Sequence, residues 1–163
     1  MTDRSRGRIL GLDEAVIWRE EQRAIGNRVV TTNGVFDLVH AGHVAYLTWA
    51  RAQGDVLLLL LNEDESVRAL KGPERPIVAF PDRAQVVAAL RSVDAVVGFA
   101  ELTPEVALDK LRPDIHVKSA QYRLEQLPER AVVELHGGRI ALAPHEPGRS
   151  TTDLVAAIRT PAR

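Results

Sequence analysis

The chain has no cysteine, which excludes a disulfide framework and any thiolate metal site. It has no surplus of positive charge either: 21 Lys and Arg stand against 22 Asp and Glu, for a formal net charge of -1. Non-specific binding to nucleic acid needs such a surplus to displace counterions along the phosphate backbone, so no polynucleotide partner is expected. No apolar run is long enough to cross a bilayer, and the N-terminus carries no uninterrupted apolar signal segment. Repeats and low-complexity tracts are absent, and lysine is scarce, with only Lys71, Lys110 and Lys118. These absences lead to the expectation of a cytoplasmic protein with no membrane partner, and they leave a homo-oligomer open. What is present is 163 residues with 45% hydrophobic content, enough for one substantial core and short for two.

The chain therefore reads as one domain over residues 1–163, with residues 1–11 flexible and 12–26 a leading helix. Leu12, Val16, Ile17 and Ala24 supply the apolar positions of that helix, and Gly26 follows as its stop. Five short aliphatic runs come next, at Val29–Thr32, Val56–Leu61, Ala95–Gly98, Ile115–Val117 and Ile140–Ala143, with helical patterns between them. Such alternation predicts an α/β fold: a doubly wound, Rossmann-like, five-stranded parallel sheet with helices on both faces. The least regular connection, Lys71-Gly72-Pro73-Glu74-Arg75-Pro76, has the turn formers and mixed charge of a lid.

A doubly wound sheet binds ligands beyond the carboxyl ends of its strands, and the polar motifs fall at those ends. Asn33 to His43 follows the first run, Asn62-Glu63-Asp64 the second, Lys118 the fourth, and Gly148 to Thr152 the fifth. The first of these is the most informative. Asn33 and Gly34 allow a tight turn, Gly42 lets a ligand approach the backbone, and the opening N–H groups of the next helix are donors for an anion. At i and i+3, His40 and His43 share one side of the turn and can donate to neighbouring oxygens of a polyphosphate. Asp37 fits either a cap and turn holder or a metal contact. Lys71 and Arg75, flanking a Gly-Pro turn, read as a phosphate clamp, and Arg83 at a helix start is a second candidate for gripping an acceptor phosphate. Ser150, Thr151 and Thr152 have capping-box-like spacing and can offer hydroxyls and N–H groups to terminal phosphates as well.

His40-Ala41-Gly42-His43 resembles the H-x-G-H signature of the nucleotidyltransferase superfamily. With Thr32-Asn33-Gly34, Phe36-Asp37, Leu70-Lys71-Gly72, Arg75-Pro76, Val117-Lys118 with Tyr122, and Gly148 with Ser150-Thr151-Thr152, the chain resembles the heptose 1-phosphate adenylyltransferase family from about Leu12 to Ile158. The resemblance implies that the substrates are ATP, or CTP in related enzymes, and a small phosphorylated acceptor. It implies that His40, His43 and Lys71 engage the triphosphate catalytically and that Ser150 to Thr152 hold its far end. Asn33, Gly34, Phe36, Asp37, Gly42, Asn62 and Lys118 complete the expected nucleotide site, with Arg75, Arg83 and Tyr122 on the acceptor. It also implies dependence on Mg²⁺, whose ligands the sequence does not identify.

Two departures bear on the substrate. Where that family carries Gly-Gly-Asp after Val-Lys, this chain has Ser119-Ala120-Gln121, losing a carboxylate and some backbone freedom. The glycerol-3-phosphate cytidylyltransferases carry Arg-Thr before their G-x-S-T-T stretch, where this chain has His145-Glu146, and they lack the leading helix. The expected reaction is thus adenylyl transfer to heptose 1-phosphate, with a polyol-phosphate cytidylyltransferase and a non-catalytic nucleotide-binding protein as the alternatives.

Overall fold

The structure, a computed structural model, describes residues 7–144, 154–156 and 158. Seven of its elements form the first half of the chain: β1 (Arg8–Leu10), α1 (Leu12–Ala24), β2 (Val29–Gly34), α2 (Ala41–Arg51), β3 (Val56–Asn62), α3 (Asp64–Lys71) and α4 (Phe80–Ala88). There follow β4 (Ala95–Phe99), α5 (Glu105–Leu111), β5 (Ile115–Ser119), α6 (Glu129–Leu135) and β6 (Arg139–Ala143), with a 3-10 turn at Leu124–Gln126. All strands are parallel, in the order β1-β4-β3-β2-β5-β6.

Every residue of β3 is buried, because alternate side chains of a central parallel strand point to opposite covered faces. Leu57, Leu59 and Leu61 pack on one face with Leu47, Ala50, Ala84, Val87 and Ala88 from α2 and α4. Val56, Leu58 and Leu60 pack on the other with Ala15, Trp18, Ala107, Leu108, Leu111 and Val133 from α1, α5 and α6. Helices on both faces are thus a consequence of one aliphatic strand. A truncation such as Leu59→Ala, at a fully buried position, would cost about 2–5 kcal/mol.

The five aliphatic runs all become strands, and the sheet gains a sixth that the sequence reading did not contain. Residues 8–10, expected to be flexible, form β1 and pair in register with Ala95, Val96 and Val97 of β4. Arg8 N–H donates to Asp94 O at 3.0 Å and Gly7 N–H to Ala88 O at 2.7 Å. Three residues are too few to carry a period-2 pattern, so only the neighbouring elements make this edge strand recognisable. In α1 the buried positions are Ala15, Trp18 and Arg19, whereas Ile17 faces solvent.

The chain winds outward from β2 to β3 and β4, then returns to place β5 on the other side of β2. The reversal of order opens a crevice between the carboxyl ends of β2 and β5, the expected place for a ligand.

Candidate active site at the strand reversal

A cleft of about 610 Å³ lies at that crevice, lined among others by Asn33, Asp37, His43, Asn62, Lys71, Arg75, Lys118 and Tyr122. The turn that enters it is shaped by Gly34 and Phe36. Phe36 adopts a left-handed backbone, φ 47°, and its ring folds back so closely that a Cβ on residue 34 would sit 2.7 Å from Cε2. Glycine is needed there for packing against Phe36, and the Phe36 ring in turn backs His43 at a centroid separation of 4.9 Å.

The two histidines form a reciprocal cap at the start of α2. His40 Nδ1 accepts from Gly42 N–H at 3.1 Å, and His43 Nδ1 accepts from His40 N–H at 3.3 Å. Their rings stack with centroids 3.9 Å apart. Two N–H groups expected to face an anion, including that of Gly42, are therefore taken by the imidazoles. Because each Nδ1 is an acceptor, the neutral rings carry their proton on Nε2, and the cap fixes the tautomer. Burial, together with the adjacent His40, pushes His43 down to about 4, against a small opposing effect of the Leu38 backbone. At neutral pH His43 is thus an uncharged N–H donor. It lines the cleft, with His40 stacked beside it and outside the lining residues.

Asp37 holds the far wall. Its carboxylate accepts from Arg75 Nε at 2.6 Å and from the backbone N–H groups of Ile77 and Val78, each at 2.8 Å. Burial opposes its ionisation, but these donors and the Arg75 charge together hold the carboxyl below its usual range. The segment suggested as a lid is consequently anchored at residues 75–78. Lys71 is not in the loop but ends α3, exposed at the cleft mouth, where a cation suits the helix C-terminus.

Arg83 is a correction. Its side chain is fully buried, with Nε donating to Val78 O, Nη1 to Val35 O and Nη2 to Asp64, at 2.7–2.8 Å. A guanidinium committed on all three nitrogens fixes the loop and does not line the cleft. Asn62, 3% exposed, lines the cleft at the end of β3 and donates to Ser66 Oγ at 3.2 Å. Lys118 donates to Asn33 Oδ1 at 3.0 Å, bridging β5 and β2 across the crevice, and lies 5.2 Å from the Tyr122 ring centroid. Gly148 and Ser150 to Thr152 lie outside the described residues.

Sequence reasoning missed Tyr46 and Glu129. The Tyr46 hydroxyl lies 2.8 Å from Thr32 Oγ1 and donates to Val117 O at 3.1 Å, tying α2 to both strands at the crevice. Burial raises its ionisation well beyond the usual phenol range. Glu129 pairs with Lys118 at 2.7 Å. The available signal was a lysine at a strand end with no acid within three residues of it in sequence.

The wall therefore offers neutral and cationic donors, suited to fixing an anion and to stabilising charge that grows on it during reaction. Among the described residues no group of three or more His, Asp or Glu can hold an ion, and Asp37 has already committed its oxygens to three donors. The helices of the described residues include none long and apolar enough to cross a membrane.

The chain is 45% identical over 151 residues to the Bifunctional protein HldE of Azotobacter vinelandii, covering 93% of this chain and 32% of that protein. It is 49% identical over 139 residues to the Bifunctional protein HldE of Syntrophotalea carbinolica, covering 85% and 28%. It spans about a third of the length of these relatives. A lipopolysaccharide core biosynthesis protein from Thermoplasma volcanium shares the fold at a TM-score of 0.61 and 22% identity, over 74% of this chain and 98% of that one. Pantoate-beta-alanine ligase from Francisella tularensis does so at 0.61 and 12%, over 93% and 76%. The family model for cytidylyltransferase-like proteins matches residues 31–156, from the strand that carries Asn33 to the helical residues after Thr152, and the chain belongs to that family.

Proposed function

We propose that this chain is a nucleotidyltransferase that joins the adenylyl group of ATP to a sugar phosphate, heptose 1-phosphate before others. An oxygen of the acceptor phosphate attacks the α-phosphorus in line. The bond from that phosphorus to the α,β-bridging oxygen breaks, and pyrophosphate leaves with its electron pair. A phosphomonoester is largely ionised near neutral pH, so the protein needs no nucleophile of its own; it aligns two polyanions and offsets their repulsion.

The observation that carries this reading is the stacked His40–His43 pair, tautomer-fixed beside a cleft at the strand reversal. In the proposed complex His43 and His40 donate to the triphosphate, Lys71 closes on it from the mouth, and Ser150 to Thr152 hold its far end. Arg75 and Tyr122 are assigned to the acceptor. Mg²⁺ is assigned to the nucleotide, entering with the triphosphate, since both Asp37 oxygens already accept hydrogen bonds. Similarity to HldE proteins supports the heptose phosphate assignment.

The test is pyrophosphate release, with the four nucleoside triphosphates crossed against heptose, polyol and vitamin phosphates. The expected optimum is ATP with heptose 1-phosphate. A higher kcat/KM for CTP with glycerol phosphate would replace this reading with the cytidylyltransferase one, which membership of the cytidylyltransferase-like family keeps in view. No turnover on any pair, with ATP still bound, would favour a non-catalytic binder. Ser119 and Gln121 line the cleft, so replacing residues 119–121 by Gly-Gly-Asp should change the ATP/CTP ratio of kcat/KM more than kcat itself. An unchanged ratio in an active variant removes this segment from substrate reading.

A further inference from the structure

A line of polar groups runs from β2 through β5 to α6, where Glu129 lines the cleft beside Lys118. Thr31 Oγ1 lies 2.8 Å from His116 Nδ1, and His116 Nε2 is 3.8 Å from Glu129 Oε1. The same Glu129 oxygen is 2.7 Å from Lys118 Nζ, which also donates to Asn33 at the crevice. Thr31 and His116 are fully buried and Glu129 is 2% exposed. Burial keeps His116 neutral by pushing its ionisation down. Burial would push Glu129 up, yet its contacts with His116 and Lys118 hold it at about 2.

A buried ion pair is an inefficient way to stabilise a fold, because desolvation of both charges offsets most of their attraction. This one has a geometric consequence instead. Lysine carries its charge on a flexible four-carbon stem and, left alone, samples many rotamers. Here two partners on different elements, Asn33 of β2 and Glu129 of α6, hold the ammonium at one point, above the place where the strand order reverses. The Tyr122 ring flanks it.

We propose that Glu129 is a positioning residue for this site: it fixes the Lys118 ammonium at the β2/β5 crevice, where Lys118 meets a phosphate oxyanion of the bound reactants. This rests on the reading of the cleft as a polyphosphate site. The glutamate acts through the lysine and has no effect on ligand without it.

The chain's three lysines make the test direct, since a ¹⁵N-lysine ammonium spectrum contains only Lys71, Lys110 and Lys118. In the parent, the Lys118 ammonium should exchange slowly with water, unlike exposed Lys71 and Lys110, and should shift when ATP with Mg²⁺ is added. Glu129→Gln should abolish that protection and lower both ATP affinity, by calorimetry, and kcat/KM for pyrophosphate release by about tenfold. In a Lys118→Met background the same Glu129→Gln change should have no further effect on either quantity. Equal losses in both backgrounds would make Glu129 a structural tie between α6 and the sheet and overturn the proposal. So would a parent Lys118 signal that exchanges as fast as that of Lys110, a result that stands even where Glu129→Gln does not fold. A parent inactive on heptose 1-phosphate, with a protected Lys118 that responds to ATP, removes the acceptor assignment and leaves the role of Glu129 standing.

Discussion

At the amino edge of the sheet an aspartate stands immediately before each of three strands and reaches sideways to a neighbour's backbone. Asp94, before β4, accepts from Leu57 N–H at 2.8 Å and Arg51 Nε at 2.9 Å. Asp114, before β5, accepts from Val29 N–H at 2.7 Å, and Asp55, before β3, from Arg28 N–H at 2.8 Å. At the carboxyl edge the polar groups are of a different kind: imidazoles, lysine, arginine and amides, whose acids Asp37 and Glu129 are each bound to a cation. The first edge uses acceptors to satisfy donors the strands leave over. The second accumulates donors beyond what the fold consumes, and that surplus is what an anionic ligand can use. Stability and function are thus assigned to opposite ends of the same strands.

This contrast can be broken at either end, and the largest effect should come from the histidines. His40→Ala or His43→Ala should lower kcat for nucleotidyl transfer on the order of a hundredfold, since the donors act mainly on charge developed in the transition state. The cap is lost too, which costs about 1 kcal/mol of stability. Steady-state pyrophosphate release and urea unfolding separate the two, and a double variant turning over near the parent rate would refute the mechanism.

Asp94→Ala should do the reverse. It strips an acceptor from Leu57 and Arg51 and should lower unfolding free energy by about 2 kcal/mol with kcat unchanged. A fall in kcat in the folded variant would show that the two edges are coupled. Lys71→Ala, at the exposed end of α3, should reduce kcat/KM for ATP by about tenfold with little change in Tm. Unaltered kinetics and nucleotide affinity would make Lys71 a solvated surface cation.

The smallest effect concerns pH. His43 titrates at about 4 in the folded chain and near 6.5 when unfolded, so between those values the unfolded state binds more protons. Its contribution is complete above pH 6.5 and is lost as pH falls toward 4. Buried His116 acts in the same direction. Urea unfolding at pH 7.5 and 5 should give a lower free energy at pH 5, and a smaller difference in His43→Asn. An equal difference in that variant would mean that His43 is not held neutral.

Much of the core was legible because aliphatic runs report burial directly: the block at Leu57–Leu61 is apolar on both faces only if both faces are covered. β1 was not legible, since three residues beside Gly7 and Gly11 acquire strand character only from β4. In the site, the H-x-G-H spacing announced a helix start with two imidazoles. It did not announce that the rings would cap the helix themselves and consume the N–H groups expected to meet the ligand.

Sequence by itself determined the parallel α/β arrangement, the position of the motifs at strand carboxyl ends and the membership of Asn33, His43, Lys71 and Lys118 in one cleft. Those follow from local periodicity and from the topology it allows. Tertiary structure alone decided what each charge is for. Arg83 and Arg75 lie close in sequence with the same chemistry, yet one is closed in by Val35, Val78 and Asp64 while the other faces the cleft from Asp37. Glu129 meets Lys118 only because α6 packs beside β5. Whether a charge serves fold or ligand depends on which partners the packing brings within hydrogen-bonding distance, and periodicity carries no information about that.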